Sequence, residues 1–201
     1  MFGIGKGHQP DYQALWLTEE RRKTWEDRLA NGVPLLDPQA GEPLSEGNVR
    51  LIVVNGQSSY DCQRVAHDLA VLAKRDMGLV YTAWARAESA GQDEPHAFVL
   101  AKDGRAIGMI VVRRRRHWEE TSWDERLDAV RPSRHEEQRW STEIIWIARN
   151  HRGKGYGRLL INMALYHLET KGPDMAWTLP FSSGGARLIR SVTGDGKLYV
   201  A

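Results

Sequence analysis

The 201 residues predict an α/β fold: a mixed, largely antiparallel sheet flanked by helices, with an N-terminal helical extension. Three observations carry that expectation. Ala97–Ala101 and Ala106–Val112 are apolar runs joined by Lys102-Asp103-Gly104-Arg105, and an Asp-Gly turn between two such runs is a strong hairpin signal. Ser141–Ala148 is a β-branched, mostly apolar run that reads as a buried strand, and Arg158–Leu168 after it reads as a helix. Between them lies a short glycine-rich turn, Arg152-Gly153-Lys154-Gly155-Tyr156-Gly157.

The elements follow in order. Residues 1–10 read as a flexible leader, and Thr18 caps a helix that Asn31-Gly32 closes. Pro34, Pro38, Gly41, Pro43 and Gly47 mark a connector, so residues 1–48 form an extension and 49–201 the main domain. Val49–Val54 is a strand ended by Asn55-Gly56. Ser58 or Ser59 caps the next helix, which runs to about Arg75 with Val65, Leu69 and Leu72 on one face. Leu79–Trp84 reads as a strand. The hairpin comes next, then a polar insertion at about 117–139, helical around Asp124 to Val130 and stopped by Pro132. The signature strand and helix occupy about 140–149 and 154–170. Met175–Phe181 reads as a strand, Ser183–Val192 as a helix and Lys197–Val200 as a closing strand.

Composition narrows the classes. A hydrophobic share of 41% and a charged share of 27% are ordinary for a soluble domain. No run approaches the roughly 18 apolar residues of a membrane span. The first ten residues contain no apolar core of a secretory signal. Cys62, the only cysteine, permits no internal disulfide, so a cytoplasmic setting is expected. The seven histidines lack ligand spacing, and no metal is expected. A net charge of +2 does not demand a polyanionic partner.

A glycine turn between a strand and a helix N-terminus leaves backbone N–H groups unpaired at the positive end of the helix dipole, and glycine lets a phosphate approach them. Spacing removes two owners of such a site. There is no Gly-Lys-Ser/Thr, and Gly153-x-Gly155-x-Gly157 has the wrong interval for a dinucleotide fingerprint. What fits is R/Q-x-x-G-x-G/A. With that signature the chain resembles the GNAT superfamily of N-acetyltransferases over roughly residues 49–201. The resemblance implies acetyl-CoA, or another acyl-CoA, as co-substrate. It places backbone contacts to the pantetheine arm at Ile145, Ile147 and Ala148, and the pyrophosphate at Arg152, Gly153, Lys154, Gly155, Tyr156, Gly157 and Arg158. Bulky residues at Gly155 or Gly157 are expected to crowd the diphosphate.

Thr142-Glu143-Ile144-Ile145-Trp146 resembles the strand of histone-type acetyltransferases that carries a general-base glutamate, and the resemblance makes Glu143 that base. Chemistry supports the role, because an amine must lose its proton before it attacks and a lysine-like amine is protonated at neutral pH. Strand alternation places Glu143, Ile145 and Ile147 on one face, among apolar neighbours and partly buried. A strand N–H near Ile145 is a candidate oxyanion donor.

The family's usual tyrosine in the last helix is missing, since Ser182–Arg190 contains none. Ser182 or Ser183 could donate that proton or position substrate, but serine at a helix start favours an N-cap. Phe181-Ser182 and Gly194–Ala201 instead resemble the ending of the sister-chromatid cohesion acetyltransferases, without the zinc finger those enzymes carry. The acceptor is sought in the 1–48 and 117–139 segments, where Trp16, Trp25, Trp118 and Trp123 are expected mainly to pack. Arg113, Arg114, Arg115 and Arg116 could grip nucleic acid, although a solvated strand end beside Glu119, Glu120 and Glu125 is favoured. Two alternatives to an amine acetyltransferase follow: a nucleic-acid-modifying relative, and a non-catalytic acyl-CoA-binding regulator.

Overall fold

The computed structural model describes residues 19–44, 48–84 and 94–201. The leader and the Thr18 cap lie outside them, as do Trp16 and Gly47. Helix α1 (Glu19–Asn31) leads into the two-residue strands β1 (Val33–Pro34) and β2 (Glu42–Pro43). Leu29 and Val33 are buried, so this segment joins the core instead of standing off from it. Arg105 fixes it further, reaching Asp27 at 2.5 Å and the carbonyls of Asn31 and Gly32.

Strand β3 (Val49–Val54) precedes α2 (Tyr60–Met77), whose N-cap is Ser59 and whose C-cap is Gly78 in the left-handed region. Strands β4 (His96–Lys102) and β5 (Arg105–Ser122) form the expected hairpin around Asp103-Gly104. After β6 (Ser133–Ile147) come α3 (Tyr156–His167), β7 (Ala176–Trp177), α4 (Ser183–Thr193) and β8 (Lys197–Val200). The sheet runs β2-β3-β4-β5-β6-β7-β8, with β1 on β5. Among the described residues only β6–β7 and β7–β8 are parallel. The outer end of β5 curves round to pair with β8 as well.

Two cores sandwich the sheet. On one face, Val65, Leu69 and Leu72 of α2 meet Ile52, Val99, Met109, Val111, Ile144 and Trp146. On the other, Leu160, Ile161 and Ala164 of α3 and Ile189 of α4 cover Leu51, Phe98, Leu100, Ile107 and Ile110. Central strands β4 and β5 are buried on both sides, which explains their unbroken apolar runs. Among the described residues no helix is long and apolar enough to cross a membrane.

Three expectations give way. Leu79–Trp84 forms no strand; it is irregular chain that inserts Ala83 and Trp84 into the α2-side core. The 117–139 segment is mostly the outer half of the β5–β6 hairpin, and its helical part, expected around Asp124 to Val130, is a 3₁₀ turn at Leu127–Ala129. Its charged residues resemble solvated helix, yet pairing with the facing strand decides the structure. The strand expected over Met175–Phe181 shrinks to Ala176–Trp177, which makes one bridge to β6, Ser141 to Ala176, and two to β8 before the chain leaves the sheet.

Candidate active site

That early departure of β7 creates the site. Thr178 is the last contact, its N–H reaching Thr142 Oγ1 at 3.2 Å and its hydroxyl donating to the Thr142 carbonyl. From Glu143 to Ile147 the edge of β6 that faces β7 has no strand beside it among the described residues. Unpaired backbone donors and acceptors on such an edge accept an extended chain. At the end of β6, Ala148 stays tied to β5 through Ile107, and a 3₁₀ turn at Arg149–His151 leads into the glycine turn.

The turn has the geometry of an anion cradle. Gly153 and Gly155 adopt φ of +72° and +85°, and a Cβ at either would meet nothing within 4 Å, so both face open space. Gly155 caps α3 without any side-chain bond to the first-turn N–H groups. Lys154 and Arg158 are exposed beside it. Burial, followed by the charges of Lys154 and Lys102, holds His151 below the ordinary imidazole range. At Gly157 a Cβ would lie 3.0 Å from Leu188 Cδ2, so the missing side chain is what lets α3 approach α4. Arg152 is committed elsewhere, donating to the Ile147 carbonyl at 2.8 Å and pairing with Asp76.

Asp76, in the last turn of α2, went unnoticed in the sequence. Its Oδ1 accepts from Arg149 Nε and Nη2 at 2.9 and 2.6 Å, and its Oδ2 from Trp146 Nε1 at 2.9 Å and from Arg152. Burial would push this carboxyl up, but the bonds from Trp146, Arg149 and Arg152 outweigh it and hold it below the usual range. The cluster clamps the strand-to-turn corner onto α2.

Glu143 is buried at 7% exposure, as expected, but its surroundings are not. Val111 pairs with Ile144 while Val112 pairs with Thr142, so Glu143 is the extra residue of a β-bulge. The bulge breaks alternation: Ile145 and Ile147 face α3, whereas Glu143 turns towards the α2 side. There its Oε1 meets Arg115 Nε and Nη2 at 2.8 and 2.5 Å and Arg113 Nε at 3.0 Å. The neighbours are therefore two guanidiniums: Arg113 and Arg115 turn in to Glu143, while Arg114 and Arg116 stay exposed, as a solvated strand end would have them. Arg113 and Arg115 share one face as alternation demands, while Arg114 stacks over Trp140 on the other. Tyr81 donates to the Glu143 carbonyl at 3.4 Å. Burial, then the Glu143 charge, pushes its phenol up.

Ser182 is the N-cap of α4, accepting from Gly185 N at 3.0 Å. All seven tryptophans among the described residues are buried or half-buried. No group of acidic, histidine or cysteine side chains there could hold a metal ion.

Residues 65–179, more than half of the chain, match the acetyltransferase (GNAT) family. N-acetyltransferase ECO1 of Eremothecium gossypii is 34% identical over 104 residues, which cover 47% of this chain. The chain spans only 38% of that relative's length. Two solved structures share the fold: the xEco2 acetyltransferase domain bound to a CoA conjugate, and the same domain alone. Their TM-scores are 0.58 and 0.57 at 12% and 11% identity, covering 76% and 80% of this chain and 92% and 93% of theirs. An open-edged strand, an unobstructed glycine turn at a helix N-terminus and this match lead to one statement: the chain belongs to the GNAT acetyltransferase family.

Proposed function

We propose that the protein transfers an acetyl group from acetyl-CoA to an amine by direct attack, with Glu143 as the general base. The observation that carries this reading is the position of Glu143, the bulged residue at the inner limit of the open β6 edge. Acetyl-CoA fits the surrounding groups. Its diphosphate meets the N–H groups of Tyr156 and Gly157 and the cations Lys154 and Arg158. Its pantetheine amides pair along the open edge beside Ile145 and Ile147, where the Ile147 carbonyl already accepts from Arg152 and the Ala148 N–H is spent on Ile107, which points the thioester at the bulge.

The chain's own groups then divide the work. Arg113 and Arg115 hold Glu143 through Oε1, leaving Oε2 to take the proton of the attacking amine directly or through one water. The amine nitrogen bonds to the acyl carbon, the carbon–sulfur bond breaks, and the electron pair leaves on sulfur as the thiolate, which solvent can protonate. A backbone N–H near Ile145 stabilises the charge that develops on the carbonyl oxygen.

Thiol release from acetyl-CoA, measured with a panel of lysine peptides, free N-termini and small amines and matched to mass gain on the amine, tests the assignment. Amine-dependent release supports it; acetyl-CoA binding without release to any amine would leave the acyl-CoA-binding regulator in its place.

A further inference from the structure

Glu143 does not balance the charge around it. Two guanidiniums converge on a single carboxylate oxygen, Arg115 Nη2 at 2.5 Å and Arg113 Nε at 3.0 Å. Two cations against one carboxylate leave one net positive charge on this group of three side chains. An arginine has five N–H donors. Arg115 spends Nε and Nη2 on Oε1, while Arg113 Nε lies 3.0 Å from the same oxygen as an ion pair without hydrogen-bond geometry; no other acceptor for either is present among the described residues. Both side chains remain about one-third exposed, at 33% and 37%, so their spare donors are within reach of a ligand. A site built only to orient a carboxylate has no use for a second guanidinium on the same oxygen.

We propose that Arg113 and Arg115 select an acceptor that carries a carboxylate beside its amine, resting on the reading of Glu143 as the base. The acceptor's anion occupies the spare donors while its amine meets Oε2, and guanidinium forks suit carboxylates. Basic or polycationic amines are disfavoured by the same charge. Such an acceptor is either a lysine flanked by acidic residues in a peptide or a small amino acid, and two pairs of ligands separate them.

The test reads binding to the CoA-saturated protein, independent of turnover. One pair is a lysine peptide flanked by glutamates against the same peptide flanked by glutamines. The other is free lysine against cadaverine, which lacks only the carboxylate. The acidic member of at least one pair should bind about fivefold tighter or better at low ionic strength, and the gap should close as salt rises. Arg115→Gln should narrow the gap without abolishing CoA binding; should that variant not fold, the wild-type pairs and the salt titration still decide. Equal binding within both pairs, or preference for cadaverine, overturns the proposal. Preference without acetyl transfer to any amine would sink the general-base reading and leave the selectivity standing, whereas transfer without preference would do the reverse.

Discussion

Two buried carboxylates, each held by two arginines, sit on the same side of the sheet and do different things. Asp76 uses both oxygens: Arg149 takes one, Arg152 and Trp146 the other. Glu143 is as deeply buried, yet all its recorded donors meet Oε1, and none among the described residues reaches Oε2. A saturated carboxylate is a brace, because every lone pair it offers is spent inside the fold. A half-saturated one beside an open strand edge is a tool. The contrast teaches that burial and arginine partners alone do not mark a catalytic acid; the unspent oxygen does.

The comparison breaks most visibly at Glu143. Glu143→Gln keeps the shape and the hydrogen-bond acceptor but cannot take a proton, so kcat/KM should fall about 10²- to 10⁴-fold, measured by thiol release. Weakened bonds from Arg115 should also lower its melting temperature. Asp76→Asn should leave the rate nearly unchanged while costing about 2 kcal/mol of stability through weakened charge-assisted bonds, measured by denaturant unfolding. The sign of its pH dependence follows from the lowered Asp76 pKa. The stabilisation is complete above the unfolded-state value of about 4 and is lost as pH falls through the folded one. Asp76→Asn should therefore flatten the acid limb of wild-type stability.

The glycines sharpen the contrast at smaller scale. Gly157→Ala drives a methyl to 3.0 Å from Leu188 and should cost about 1 kcal/mol in thermal melts with CoA affinity nearly intact. Gly155→Ala meets no atom but must hold φ at +85°. It should cost a comparable strain of about 1 kcal/mol and also weaken CoA binding, read by calorimetry. The smallest effect belongs to His151. A diphosphate at the turn offsets the Lys154 and Lys102 charges that depress it, so CoA should raise its pKa in an NMR titration.

Much of this was legible in the chain. Asp103-Gly104 fixed the central hairpin because its turn chemistry is local, and a serine cap, which proves to be Ser59, marked the start of α2 for the same reason. The glycine turn was recognisable because strand, loop and helix are contiguous. What escaped depends on partners far along the sequence. The bulge at Glu143 exists only in register with Val111 and Val112, so alternation read from β6 alone turned the side chain to the wrong face. Asp76 lies 70 positions from Trp146 and carries no motif of its own. Gly157 belonged to the signature by spacing, but its neighbour Leu188 comes from another helix. The arginine run looked solvated because the carboxylate that claims Arg113 and Arg115 is about thirty residues away.

The central claim is that the free oxygen of Glu143 does chemistry while the saturated Asp76 holds structure. The most direct measurement is the pH–rate profile of amine-dependent thiol release for the wild type, Glu143→Gln and Asp76→Asn, taken well below the melting point of each. The account predicts that Glu143→Gln loses both rate and the wild-type shape of the profile, and that Asp76→Asn keeps that shape. A Glu143→Gln profile that superimposes on the wild type would contradict it.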